Sequence, residues 1–338
     1  MRYVELGKTG LRCAVVSFGG IPIQRSDAAN TVAVVDALER HGMNYIDTAR
    51  GYTVSEEYLG AALEGRREKF ILATKSMART YEAMRADVET SLKNLRTDYI
   101  DVYQLHNLPL GDFEKVFGSE GAYRALAEAQ EAGKIGHIGA TFHSLEALKK
   151  AVEEYADRIE TVMFPFNIVE NQGAETLCLA REKGIGTICM KPMAGGNLED
   201  WTLALKFIDA SGVMDISIPG MGSAEEVDRN AAAAEDFGPL TGEETARCET
   251  IRKTLGTTFC RRCGYCAPCT VGINIPSAFL FNNYLKHYEG LADWARKRYA
   301  AMEAKASTCV ECGLCETRCP YDLPIREMLK DVAGNFGE

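Results

Sequence analysis

Two runs of closely spaced cysteines near the C-terminus constrain this chain more than any other feature. The first reads Cys260-Arg-Arg-Cys263-Gly-Tyr-Cys266-Ala-Pro-Cys269, and the second Cys309-Val-Glu-Cys312-Gly-Leu-Cys315-Glu-Thr-Arg-Cys319-Pro320. A C-x2-C-x2-C triple lets three thiolates of one tight turn converge on one cubic cluster, and the fourth cysteine of such a run usually ligates the other cluster. The spacing predicts two [4Fe–4S] centres, one on Cys260, Cys263, Cys266 and Cys319, the other on Cys309, Cys312, Cys315 and Cys269. Gly264 and Gly313 fall inside the turns, where a missing side chain lets the backbone wrap inorganic sulfide. The competing reading is a pair of all-thiolate zinc sites. Zinc modules, however, pair one C-x2-C with a distant second, and two consecutive triples leave one thiolate too many per loop. Disulfides are disfavoured too. The N-terminus has no charged start followed by an apolar core, so a cytoplasmic, reducing location is expected.

With 338 residues, the chain has room for one large domain and one small one. A hydrophobic share of 46% beside 25% charged residues is that of an ordinary globule and argues against disorder. Apolar runs such as 185–190 are far too short for a bilayer, so no membrane association is expected. The net charge is −10 without a lysine or arginine block, which makes nucleic acid a poor partner. Cys13, Cys178, Cys189 and Cys248 are expected to be small core residues.

Up to residue 236, short β-like runs alternate with amphipathic helical ones. The strand candidates are 15–18, 44–47, 70–74, 101–105, 135–140, 161–166, 186–190 and 215–218; helical patterns cover 30–40, 80–94, 122–132, 144–155 and 174–182. Eight strands, each followed by a helix, predict a (β/α)8 TIM barrel over 1–236. The leading segment 3–13, with Gly7 and Gly10, predicts a hairpin that plugs the barrel floor. Residues 237–259 are expected to be a linker, and 260–338 a small, mainly helical ferredoxin-like iron–sulfur domain, since the spacer between the cysteine runs is longer than in compact ferredoxins.

Side chains at the C-terminal ends of barrel strands face the active site. Those ends give Asp47, Lys75 and His106, with Tyr52 in the loop beyond Asp47. A tyrosine is a weak acid, with a reference pKa of about 10. A lysine ammonium beside it stabilises its phenolate, and a carboxylate keeps that lysine charged. The set suits proton donation to a carbonyl oxygen while a hydride or electrons reach carbon. Each residue also has a duller explanation: a turn cap for Asp47, a solvated charge for Lys75, a satisfied core histidine for His106. Their clustering at three successive strand ends is the stronger signal.

Here the sequence resembles the aldo-keto reductase family, in the branch with a C-terminal ferredoxin-like extension. The matching stretches are Gly7-Lys-Thr-Gly10-Leu11, Asp47-Thr-Ala-Arg-Gly-Tyr52, Thr74-Lys75, Gln104-Leu-His106, Gly133-Lys-Ile-Gly136-His-Ile-Gly139, and Ile218-Pro-Gly220 running on to Asn230. The resemblance implies NAD(P)-linked carbonyl/alcohol chemistry, with Tyr52 as acid supported by Lys75, Asp47 and His106. It also implies cofactor contacts at positions where this chain departs from the family. Thr141-Phe142 stands for a Ser-Asn pair, Met163 for a glutamine, and Met190-Lys191 where an aromatic ring would stack on the nicotinamide. Thr141 can replace a hydroxyl, but Phe142 and Met163 cannot supply amide hydrogen bonds. Ser223-Ala-Glu-Glu226 predicts a capped helix, and Gly220 and Gly222 predict amides open to a phosphate. Glu226 would repel a 2′-phosphate, so NAD(H) is expected over NADP(H); its other reading is simply completion of the cap. Asn230 fits the family's adenine contact. Lys191 would attract an anionic substrate group or snorkel to solvent.

The leading expectation is thus an oxidoreductase interconverting a small carbonyl compound and its alcohol, whose clusters serve a one-electron partner such as ferredoxin. Two alternatives are a nicotinamide-independent reductase fed through the clusters and an electron-transfer or redox-sensing subunit with an idle barrel site.

Overall fold

A computed structural model describes residues 1–338, apart from the side chain of Glu289. The chain separates into two compact units, the first made of Met1–Asn167, Asn171–Met193 and Asp200–Leu240, and the second of Ile168–Glu170, Ala194–Glu199 and Thr241–Glu338.

The first unit opens with an antiparallel hairpin, β1 (Tyr3–Glu5) and β2 (Arg12–Ala14). Eight parallel strands follow in chain order: β3 (Phe18–Gly19), β4 (Tyr45–Asp47), β5 (Ile71–Ser76), β6 (Ile100–Leu105), β7 (Ile135–Thr141), β8 (Thr161–Pro165), β9 (Gly186–Met190) and β10 (Ile216–Ser217). Bridges Val16↔Ser217 and Gly19↔Gly220 join the last strand to the first, with Ser17 N donating to Ser217 O at 2.8 Å. The sheet closes into the expected barrel. Residues 15–18 do not form one continuous strand, because Val16 bridges the last strand while Phe18 and Gly19 pair with β4. This segment is the seam of the barrel.

Helices cover the outside where the apolar period and the caps coincide. Asp27 caps Ala28–His41 by accepting from Asn30 N, and Gly42 ends that helix at φ 69°. Ser144, Asp200 and Ser223 cap Leu145–Glu154, Trp201–Ser211 and Ala224–Ala233 in the same manner. Inside, Tyr45, Ala73, Val102, Met163, Ile188 and Ile216 form a buried cluster, into which the hairpin inserts Leu6. Lys8 N donates to Gly184 O at 2.9 Å, beside the start of β9, so the hairpin seals the N-terminal ends of the strands. That leaves the opposite ends for chemistry.

The second unit has its own core of Cys266, Ile275, Phe279, Tyr299, Cys315, Leu329 and neighbours. Its main helices are Gly242–Leu255, Ile275–His287, Ala292–Ala300 and Ile325–Phe336. Tyr299 and Phe336 stack at 3.9 Å. The first of these helices lies within 237–259, where composition suggested only a connection. It buries only Cys248, so it has no apolar stripe to read, and a capping box between Thr241 and Glu244 fixes its start. The loop segments Ile168–Glu170 and Ala194–Glu199 are tied into this unit by polar side chains. Arg252 Nε donates to Ile168 O (2.9 Å), Arg261 Nη2 to Val169 O (2.9 Å), and Asn283 Nδ2 to Gly195 O (2.6 Å). No described helix is long and apolar enough to cross a membrane.

The floor plug depends on Gly7, which has φ 56° and sits where an added Cβ would lie 2.3 Å from Gly186 N. Gly7→Ala is expected to cost about 2–4 kcal/mol through strain and displacement of the hairpin. Gly10→Ala, at φ 74° with open space around it, should cost about 1–2 kcal/mol from backbone strain alone. Denaturant midpoints of the two variants check this; equal losses would mean that the close approach is not what holds the plug.

Candidate functional site

At the C-terminal ends of β4, β5 and β6 the fold buries a charged group that water would otherwise solvate. Lys75 on β5 forms an ion pair with Asp47 on β4, their side chains only 2% and 4% exposed. Lys75 Nζ also donates to Thr48 O at 2.7 Å. Gln104 Nε2 donates to the other Asp47 oxygen, at 3.0 Å. Burial alone would lower the Lys75 pKa, but Asp47 and the Tyr52 hydroxyl, to which Lys75 is hydrogen-bonded, outweigh it and hold the ammonium above its ordinary value. Burial pushes the Asp47 carboxyl up, against the pull of Lys75 and Gln104.

Tyr52 lies on the far side of Lys75, whose Nζ is 4.8 Å from the phenol ring centroid. Backbone bonds from Tyr52 N to Ala49 O (3.0 Å) and from Ser55 N to Tyr52 O (2.9 Å) shape the turn that presents it. The His106 ring meets Tyr52 edge to face, with centroids 5.9 Å apart. Its Nδ1 is buried and without a hydrogen-bond partner. Burial, then the charges of Lys75 and Arg79, push the imidazole down to about 3, so it stays neutral. The four residues expected at the strand ends therefore converge: a carboxylate, an ammonium, a phenol and a neutral imidazole in one chain of contacts.

Two further residues belong to this arrangement. Gln104 pairs with Lys75 in the β5–β6 register and stands two positions before His106, so strand alternation was the signal for it. Arg79 had no sequence signal. Its Nη2 donates to both His106 O and Asn107 O (2.8 Å each) and its Nε to Asp112 (2.9 Å), which secures the turn where Asn107 takes φ 47°.

The positions expected to hold a nicotinamide are laid out differently. Thr141 Oγ1 accepts from Asn107 N at 2.7 Å, so its hydroxyl already serves the His106 turn. Phe142 is fully buried and stacked on Phe113. Met163 packs in the barrel interior with Met190 against the same cluster. None of these offers an amide to a carboxamide, and the nicotinamide end does not fit the family pattern. Lys191, at φ 57°, points its Nζ to His143 Nδ1 at 3.2 Å. At the phosphate end, Gly220 bridges Gly19. Ser223 caps its helix as expected, but Glu226 takes the Gly222 amide that was expected to remain open. Asn230 Nδ2 donates to Glu226 O (2.7 Å), while its buried Oδ1 has no partner and could accept from an adenine amino group.

In the second unit the cysteine runs form a pseudo-repeat. Arg262 and Glu311, each just before the second cysteine, take φ 56° and 55°, and Gly264 and Gly313, each just after it, take 86° and 77°. Beyond the fourth cysteines, Gly272 and Asp322 repeat the left-handed backbone, and helices begin at Ile275 and Ile325. Cys269, Cys309, Cys312 and Cys315 line one small open cavity of about 20 Å³. In the other set, Cys260 senses the charges of Cys263 and Cys319, and Cys266 those of Cys260, Cys263 and, from the first set, Cys315. Burial pushes the Cys260 thiol up to about 11 and Cys266 to about 12. Four cysteines around one cavity, and Cys260 close to Cys263, Cys266 and Cys319, are compatible with the two expected clusters. Each such cluster would supply one-electron chemistry.

Comparison with known proteins agrees with both units. Residues 15–203 match the model of the aldo/keto reductase family, and residues 259–324 that of a 4Fe-4S dicluster domain. An uncharacterized oxidoreductase of Bacillus subtilis, YqkF, is 27% identical over 255 residues, covering 71% of this chain and 79% of that protein. L-galactose dehydrogenase of Arabidopsis thaliana is 25% identical over 287 residues, covering 70% and 88%. Among solved structures, the holo form of an aldo-keto reductase of Bacillus halodurans, AKR11C1, superposes with a TM-score of 0.64 at 26% identity, over 74% of this chain and 96% of that one.

The environment of His106 is checked by histidine ring NMR. An unperturbed imidazole titrates near pH 6.5, whereas the His106 signal, assigned by its loss in His106→Gln, should stay neutral from pH 8 to pH 5. Because the folded value lies below the unfolded one, this group's contribution to stability is complete above about pH 6.5 and is lost as pH falls towards about 3. A midpoint above 5 would contradict this environment.

Proposed function

Because this chain belongs to the aldo/keto reductase family, we propose that it interconverts a small carbonyl compound and its alcohol, with Tyr52 giving the proton to the carbonyl oxygen. The observation that carries this reading is the buried sequence of contacts from Asp47 through Lys75 to Tyr52. As Tyr52 releases its proton, negative charge develops on the phenolate next to an ammonium that needs no reorganisation to receive it. Asp47, held by Gln104, keeps that ammonium charged and aimed. Neutral His106 orients the substrate oxygen through a ring nitrogen while Arg79 secures its turn. In the second unit, Cys260, Cys263, Cys266 and Cys319 would hold one [4Fe–4S] cluster, and Cys309, Cys312, Cys315 and Cys269 the other. The two clusters would exchange electrons with a soluble one-electron carrier such as ferredoxin.

NAD(H) is the hydride source implied by the family, and the unpartnered Asn230 Oδ1 supports an adenine at that end. A second reading, a reductase that takes its electrons through the clusters without nicotinamide, is favoured by a different observation. The Thr141 hydroxyl and the Gly222 amide already have partners within the protein.

Tyr52→Phe is expected to slow carbonyl reduction roughly 10²–10⁴-fold while iron content and thermal stability hold; unchanged turnover in the cluster-loaded variant would sink the proton-donor role. Anaerobic addition of NADH to cluster-loaded protein separates the two electron sources. Stoichiometric bleaching of the cluster absorbance supports the nicotinamide route, and absence of NADH binding by calorimetry supports the second.

A further inference from the structure

The pseudo-repeat that relates the two cysteine runs is broken at the residue after the fourth cysteine. In the second run that residue is Pro320, which has neither a hydroxyl nor an N–H. In the first run it is Thr270, whose Oγ1 lies 3.4 Å from Cys312 Sγ. Cys312 is the middle cysteine of its triple, the counterpart of Cys263 in the other loop. Once Cys312 is a thiolate on iron, its sulfur has no proton to give, so the hydroxyl must be the donor. The partner of the bond is also fixed in place. Thr270 follows Cys269, which lines the same cavity as Cys309, Cys312 and Cys315. The carbonyl of Pro268 on the other side of Cys269 accepts from Arg318 Nη1 at 2.9 Å. Cys312 is itself exposed, whereas its counterpart Cys263 is half-buried.

We propose that the Thr270 hydroxyl, by donating to Cys312, makes the cluster on Cys269, Cys309, Cys312 and Cys315 the more readily reduced of the two. This rests on the assignment of two [4Fe–4S] clusters to these cysteines. Reduction adds an electron to the cluster and makes its sulfurs more negative, so a donor at a ligating sulfur stabilises the reduced state more than the oxidised one. Solvent at Cys312 acts in the same direction. The matching site on the other cluster has Pro320, which cannot supply such a bond. Arg262 N donates to Cys260 Sγ at 3.4 Å in the other set, so the added side-chain donor and the solvent at Cys312 are what set the two clusters apart, and electrons entering the unit collect on the exposed one first.

The test is a potentiometric series on anaerobically reconstituted full-length protein, reduced stepwise with dithionite and followed by EPR. Wild type should show two steps. Thr270→Val should move the more positive step downward and leave the other where it was. The loss of electron affinity should be three- to tenfold, the upper end being about 59 mV for a one-electron couple. Thr270→Ser, which keeps the hydroxyl, should match wild type, and Thr270→Ala serves if the valine variant loses iron. Unmoved steps in variants holding about eight irons per chain, or movement of the more negative step, would overturn the proposal. Zinc in place of iron in wild-type protein would instead overturn the cluster assignment on which it rests.

Discussion

The barrel site depends on one desolvated ion pair, that of Asp47 and Lys75. A charge taken out of water is costly unless it is paired and hydrogen-bonded. Here the ammonium has Asp47, Thr48 O and Tyr52, and the carboxylate has Lys75 and Gln104. All of these partners come from β4, β5, β6 and the loop after β4, so the pair is satisfied only when those strands are in register. Ala73 against Asp47, and Gln104 against Lys75, is the register observed. A slip of β5 by one residue would turn Lys75 outwards and leave Asp47 without its partner. The network thus links strand pairing to the charge state of the site. The same logic explains why removing one member differs from removing the pair, since either ion left alone would be buried and unpaired.

Much of the fold was legible because its signals are local. Eight apolar runs at regular spacing mark strands, and the Ser223, Ser144 and Asp27 caps mark where helices begin. Asp47 closes its run, and Lys75 and His106 each follow directly on theirs. What remained hidden was of another kind. Arg79 reaches the His106 turn from a loop that has no periodicity, and nothing in its neighbours distinguishes it from a surface arginine. The Thr141 hydroxyl could be recognised as a donor or acceptor, but not that Asn107 N would claim it. Likewise, the self-capping of Gly222 by Glu226 is a choice between partners that sequence cannot rank. The helix Gly242–Leu255 escaped because its polar composition carries almost no apolar stripe.

The cysteine runs were legible for the same reason. Three of the four cysteines assigned to each centre lie within six positions of one another, so spacing limits much of the geometry. The backbone then repeats that geometry with a pair of left-handed residues in each loop, glycine at one and a longer side chain at the other. Arg262 and Glu311 are the residues that bear this conformation without being glycine, which places strain beside the ligands.

The second unit is not one stretch of chain. Its members Ile168, Val169 and Gly195 precede the residues that hydrogen-bond to them by 84, 92 and 88 positions. During synthesis these carbonyls emerge first and find their intended donors only after Arg252, Arg261 and Asn283 have been made. Closing loops of this length carries an entropy cost that grows only slowly with length, but it raises contact order and delays completion. A chain cut after Leu240 would leave those carbonyls without these partners, so a single scission does not divide the two units. Any recombination event that exchanged the cysteine-bearing segment would have to bring compatible loops after β8 and β9 with it.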